Sequence, residues 1–312
     1  MKKFHEFVYE RPDLSVEKET FHGLLDSFSK AETIEEAIHA IDQINVQRNR
    51  LDTMANLVYI RASIDTRDPY YKKEKEFFDE TLPMIEEMNT EFYKLLIKSP
   101  FRDSLEEKYG SQLFQIADMK IKSFAPEVME WMQEENKLTT EYANLVAAAE
   151  IEFKGETYTL AQLYPFTQDK DRTVRKQAVE KMFNYFADHG DKFDEIYDRL
   201  VKVRHKIAIT LGFENFVPLG YLRMQRVGYS AEDLEVFRKQ VREHIVPLTT
   251  KLYERQRKRI GVDELMYYDE NFQFRTGNAT PKGPAEWIIE NGKKMYAELS
   301  DETNEFFQFM LD

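Results

Sequence analysis

The stretch "VPLGYLRMQRVGY" (217–229) gathers Tyr221, Arg223, Gln225, Arg226 and Tyr229 among apolar residues within a few helical turns. Guanidinium groups bind carboxylates through paired N–H donors, and tyrosine hydroxyls add single hydrogen bonds. On the wall of a cleft, these residues suit a peptide backbone or its terminal carboxylate. The same residue types also build ion-pair networks between helices, and the sequence alone leaves both readings open.

Hydrolytic chemistry has stricter requirements. A helical zinc peptidase needs H-E-x-x-H, because residues four apart share a helix face and chelate together while the intervening Glu serves as base. The histidines are His5, His22, His39, His189, His205 and His244; only His5 precedes a glutamate, and the fifth position there is Tyr9. His22 with Asp26 and His39 with Asp42 share helix faces, but two ligands make a poor metal site. No G-x-S-x-G elbow, no G-x-x-x-x-G-K-[ST] loop and no G-x-G-x-x-G turn occurs. Paired carboxylates such as those of "DETLPMIEEMNTE" follow from 57 acidic residues spread over amphipathic helices. The residues therefore nominate no catalytic group and no metal ligand.

Composition narrows the class further. The chain has 312 residues, 42% apolar and 32% charged, and no cysteine, which excludes disulfides, thiolate metal sites and cysteine nucleophiles and fits a reducing cytoplasm. A net charge of −13 opposes a polyanionic partner. The basic run 251–261 contains Glu254 and closes a predicted helix, where cations meet the negative end of the dipole. No nucleic acid is expected as a partner. No apolar run is long enough to span a membrane, and the opening residues lack the apolar core of a secretory signal.

The elements that would position these residues are almost all helical. Helices are predicted at 16–29, from Ile34 behind a Thr33/Glu36 capping box to about 66, at 70–98 around Pro83, and from Pro126 onward. "EIEFKGETYTL" (150–160) is the one β signal, a hairpin turning at Lys154-Gly155. Further helices are predicted at 171–188, at 190–211 up to Gly212, from Ser230 to about 260 with a bend at Pro247, behind Pro284, and behind Ser300. The stretch 269–286 is the best loop and a candidate hinge. The final segment presents Phe306, Phe307, Phe309, Met310 and Leu311, apolar groups that need a partner.

Three stretches carry a resemblance: "DRTVRKQAVEKMFNYF" (171–186), "RLVKVRHKIAITLGFENFVPLGYLRMQRVGYSAEDLEVFRKQVREHIVPL" (199–248) and "TPKGPAEWIIENGKKMYAELSDETNEFFQFML" (280–311). Together with the hairpin they resemble the oligoendopeptidase F family of zinc metallopeptidases, relatives of thimet oligopeptidase and neurolysin, and most closely its Pz-peptidase-like members. The resemblance covers the whole chain, most specifically from about residue 140. It implies an all-α, long-helix, two-lobed clamshell (neurolysin-like) with one small β-hairpin near 150–160. It also implies one zinc ion and hydrolysis of short unfolded peptides inside a deep channel.

The family's zinc motif lies downstream of the helix with which this chain stops, so no zinc ligand or catalytic residue maps onto it. The expectation is an N-terminal lobe (1–125) and a second helical region (126–312) leading into a missing C-terminal catalytic region. The chain alone would be inactive, and Tyr221, Arg223, Arg226 and Tyr229 would bind substrate on the channel wall. The alternative is a non-catalytic α-helical peptide-binding or scaffold protein derived from the peptidase lobe.

Overall fold

The computed structural model describes residues 3–311; readings that rest on Met1, Lys2 or Asp312 lie outside the described residues. Side-chain caps set many of the helix starts. Asp13 accepts from the N–H groups of Ser15 and Val16 and opens α1 (Leu14–Ser29). Thr33 accepts from Glu36 and opens α2 (Ile34–Ile64), whereas the Glu36 carboxylate takes the N–H of Glu32, one residue outside the expected box. Asp68 caps α3 (Pro69–Lys98), with Pro69 at the first helical position, where a missing N–H leaves nothing unpaired.

Two short helices that the sequence reading passed over follow: α4 (Arg102–Tyr109) and α5 (Ser111–Lys122), divided by Gly110 at φ 85°. A 3₁₀ turn at Pro126–Val128 leads into α6 (Met129–Ala147). Strands β1 (Ile151–Phe153) and β2 (Glu156–Tyr158) pair antiparallel, Ile151 opposite Tyr158. Lys154 and Gly155 both take positive φ, 52° and 84°, as the predicted tight hairpin turn requires. Thr159, expected in the strand, instead caps α7 (Leu160–Leu163) by accepting from the N–H of Gln162.

The remaining helices are α8 (Arg172–Asp188), α9 (Gly190–Thr210), α10 (Phe216–Arg223), α11 (Ala231–Gln240), α12 (Val246–Ile260), α13 (Ala285–Leu299) and α14 (Asp301–Leu311). The single helix expected from Ser230 to about 260 is broken by a π turn at Val241–Ile245, where the N–H of Val246 reaches back to the carbonyl of Val241. Pro247 supplies the reason. It has no N–H to donate to Glu243, and its ring would meet that carbonyl, so the preceding turn opens. The fold class is all-α with one two-stranded antiparallel sheet, as the sequence led us to expect.

The chain divides into two compact units. The larger comprises Arg11–Gln162 and Glu180–Thr249 and holds two apolar cores. In the first, Phe21 and Phe28 of α1, Ile41 and Leu51 of α2, Phe92 and Leu96 of α3, Leu105 of α4 and Phe114 of α5 meet. In the second, Leu138 of α6, Ile196, Val203 and Ile207 of α9 and Leu219 of α10 meet. Each such side chain contributes roughly 1.5–3 kcal/mol by leaving water. Helix α6 packs on α3 and on α9.

The smaller unit comprises Met1–Glu10, Leu163–Val179 and Thr250–Asp312. Its interior mixes apolar groups such as Leu163, Ile260 and Phe272 with buried polar ones. Asp269 is fully buried and takes Arg175 Nη2 at 2.7 Å and Arg172 Nη2 at 2.7 Å, while the Arg175 guanidinium lies 4.1 Å over the Phe272 ring. Gln256 Nε2 donates toward the carbonyls of Asp269, Glu270 and Phe272. These contacts pin the beginning of the stretch read as a hinge, and that stretch lies wholly within this unit. Helices α13 and α14 pack against each other, and Phe307 stacks on Tyr296 with centroids 4.3 Å apart. Phe306 and Met310 stay 58% and 62% exposed, and Trp287, Ile288 and Leu299 of α13 are exposed as well.

Candidate functional site

Within the larger unit, a cleft of about 280 Å³ opens along the groove between α3 and α6. Its position follows from Pro83. A proline inside a helix donates nothing to the carbonyl four residues earlier, here that of Asp79. Asn136 of α6 fills the vacancy, its Nδ2 donating to that carbonyl at 3.0 Å, and Gln133 Nε2 donates to the carbonyl of Glu80 at 2.6 Å. The proline thus frees one backbone oxygen of α3 as an anchor for α6, and the Glu80 carbonyl adds a second contact. The cleft lies directly beside them, lined by Leu82, Pro83 and Ile85 of α3 and by Met132 and Asn136 of α6.

Polar groups converge on this apolar floor. Asp52 enters from α2, Glu86 and Asn89 from α3, Lys120 from α5 and Arg223 from the end of α10. Lys120 Nζ sits 2.8 Å from Glu86 Oε1, so these two neutralise each other. Asp52 has no ion pair among the described residues. The side-chain oxygen of Asn89 is buried with no hydrogen-bond donor facing it. A buried acceptor without a partner costs about 1–3 kcal/mol, which a ligand N–H would recover.

Arg223 is held from behind. Glu135 of α6, 4% exposed, receives Arg204 Nε at 2.7 Å and Arg223 Nη2 at 2.8 Å. Arg223 has no other ion pair among the described residues. The ion-pair network left open by the sequence therefore exists and includes Arg223, which also lines the cleft. The other three residues of the segment do not line it. Arg226 lies 4.5 Å over the Tyr221 ring, and Tyr229 follows Gly228 (φ 84°) on the surface, 45% exposed. The segment looked apolar enough to be buried, yet Leu219 is its one fully buried residue, because α10 presents a single face to the core.

The histidines go elsewhere. His22 meets Glu91 of α3 at 3.1 Å, not its helical neighbour Asp26, and His189 Nδ1 lies 2.9 Å from the carbonyl oxygen of Tyr185. Among the described residues no group of three or more His, Asp or Glu side chains is placed to hold a metal ion. No helix is long and apolar enough to cross a membrane. The sequence reading missed Asn89, Asp52, Lys120 and Glu135. Besides Arg223, Pro83 is the one residue of the cleft that the sequence marked as unusual.

Comparison with known proteins places this geometry. Residues 4–124 match the family model for the peptidase M3 N-terminal domain. The structure of Pz peptidase A, solved with an inhibitor, is 55% identical, with a TM-score of 0.96 over 99% of this chain and 55% of that one. An oligoendopeptidase F from Bacillus anthracis str. Ames is 51% identical, with a TM-score of 0.96 over 100% of this chain and 57% of that one. A further oligoendopeptidase F structure is 50% identical, with a TM-score of 0.97 over 100% of this chain and 55% of that one. This chain spans little more than half the length of these relatives. A search of curated protein sequences gave no match. The chain thus matches the M3 peptidase N-terminal domain over residues 4–124 and resembles oligoendopeptidase F over its described length.

Proposed function

We propose that this chain supplies the N-terminal portion of a cytoplasmic zinc-dependent oligoendopeptidase that cleaves internal bonds of short unfolded peptides. The observation that carries the proposal is identity above 50% with Pz peptidase A over 99% of the chain. Zinc is expected in the intact enzyme, where it would polarise the scissile carbonyl and its bound water. The residues described here do not form a site for it, and no step is assigned to it on this chain. The catalytic region would lie outside this chain, and the exposed apolar faces of α13 and α14 are where it would pack.

The chain's own contribution is substrate binding in the α3–α6 cleft. Arg223 would meet a peptide carbonyl or terminal carboxylate, Asn89 an amide N–H, and Asp52 a cationic group, with Leu82, Ile85 and Met132 as the apolar floor. Tyr221, Arg226 and Tyr229 remain proposed as outer channel-wall contacts.

Two measurements test this reading. A quenched fluorogenic peptide should remain intact with the chain alone, and a labelled non-cleavable peptide should bind it. Arg223→Ala and Asn89→Leu should each weaken that binding about tenfold, a typical loss for one well-placed polar contact. Peptide binding unchanged in both variants, or cleavage by the chain alone, would sink the assignment.

A further inference from the structure

A second cavity, of about 230 Å³, lies in the larger unit between the end of α2, the first turns of α3 and the end of α6. Tyr59 lines it from α2, Lys72, Lys75 and Glu76 from α3, and Thr140 and Asn144 from α6, over a floor of alanines. Among the described residues neither lysine has a carboxylate in ion-pair contact, and Lys75 is half-buried. Asp65 lines the cavity as well and is engaged by Arg67. Asn144 has no side-chain partner among the described residues.

Behind the cavity wall lies Asp79, 4% exposed. Thr140 Oγ1 donates to it at 2.7 Å and the Tyr59 hydroxyl at 3.4 Å, and among the described residues no cation reaches ion-pair distance. The charged groups facing it are Lys75 and Glu76 on its own helix, with Tyr59 and Thr140 the polar groups from α2 and α6. Burial pushes its carboxyl upward, while Lys75 acts the other way. Among the described residues the cavity thus presents two ammonium groups, the Glu76 carboxylate and the Asn144 amide, none of them in an ion pair or side-chain hydrogen bond at contact distance.

We propose that this cavity binds a small zwitterion, a free amino acid or dipeptide, with its carboxylate on Lys72 and Lys75 and its ammonium on Glu76. The size agrees. At about 30 Å³ per water-sized volume, the space holds on the order of eight non-hydrogen atoms, an amino acid or the smallest dipeptide. Such molecules are the shortest products of peptide hydrolysis, and in that respect the proposal rests on the peptidase reading.

The test is a titration of the isotopically labelled chain with glycylglycine and with glycine, followed by amide NMR. We expect saturable shifts at Lys75, Thr140 and Asn144 with a Kd on the order of 1 mM, reasonable for so few atoms. Lys75→Met should raise that Kd at least about tenfold and Lys72→Ala severalfold, whereas Arg223→Ala should leave it unchanged. Lys72 is exposed, so its variant tests the site even if Lys75→Met does not fold. Binding by either glycine or glycylglycine supports the class and tells which member is preferred. Acetate binding as tightly as both would make this a plain anion site and overturn the zwitterion. Absence of shifts at these amides would overturn it too. Shifts centred on Asn89 and Asn136 would overturn this site while leaving the peptide cleft standing. A longer non-cleavable peptide that spares Asn89, with glycylglycine still shifting Thr140, would do the reverse.

Discussion

Replacing Asp269 by Asn should destabilise the smaller unit. Asp269 accepts from Arg172 Nη2 at 2.7 Å, from Arg175 Nη2 at 2.7 Å and from the Met266 N–H at 3.1 Å. The two arginines differ in what they lose. Arg172 is 42% exposed and can turn to water, whereas Arg175 is 2% exposed and cannot. An uncompensated buried charge costs about 3–5 kcal/mol. Arg175 still faces the carbonyls of Asp169 and Lys170 at 2.8 and 3.2 Å and the Phe272 ring, so the lower end, about 3 kcal/mol, is expected. The assay is urea unfolding followed by tryptophan fluorescence, because Trp287 reports on the smaller unit and Trp131 on the larger. In single-tryptophan forms, the Trp287 transition should lose about 3 kcal/mol and the Trp131 transition less than about 0.5, since Trp131 shares no partner with Asp269. A loss below about 1 kcal/mol at Trp287 would refute the buried-charge argument. The pH dependence adds a check. Burial pushes the Asp269 carboxyl up, but the hydrogen bonds from Arg172, Arg175 and Met266 outweigh it and hold the group below its ordinary value. Below about pH 4 the unfolded chain then binds the extra proton first, so this contribution is complete above that pH and fades as pH falls through the folded value. The difference between wild type and variant should shrink in step.

Asp79 has the opposite sign. Its carboxyl is pushed up by burial, so between its ordinary and folded values the native state holds the extra proton and stability falls as pH rises. Asp79→Asn should therefore be at least as stable as wild type at pH 7 and lose that advantage near pH 4, read as melting temperatures at the two values. Gly212→Ala should cost about 1 kcal/mol in chemical denaturation; Gly212 sits at φ 85° with nothing near the added Cβ, so the whole cost is backbone. A loss near zero would mean the end of α9 rearranges freely. Metal analysis of the purified chain after incubation with zinc and dialysis should find no stoichiometric ion; one zinc per chain would overturn the placement of the metal site outside these residues.

What the sequence revealed and what it hid divide along the range of the interactions. The Ser230–Asp233 box, the stop at Gly212 and the Lys154-Gly155 turn involve neighbours only, and each appears where residue chemistry put it. The π turn before Pro247 is the same local physics carried one step further, since a proline that bends a helix must do so by opening a particular turn. Helices α4 and α5 escaped notice because each is short and buries only one or two residues, too few for a periodic pattern to stand out. The cleft was hidden for a different reason. Asn136 and Asp79 are 57 residues apart, and nothing local says that one answers the other. Yet Pro83 did announce a need. An interior proline leaves one carbonyl without its helical donor, and a buried carbonyl must find another. Asn136 and Gln133 lie on the same short stretch of α6, and both spend their amides on α3. The kink residue and the amides on a different helix were therefore two halves of one observation, and the groove they define is where Asn89, Asp52 and Arg223 converge. Arg223 was singled out for its charge, but Glu135 holds it at that groove, which is why the ion-pair and cleft-wall readings of the same arginine are compatible.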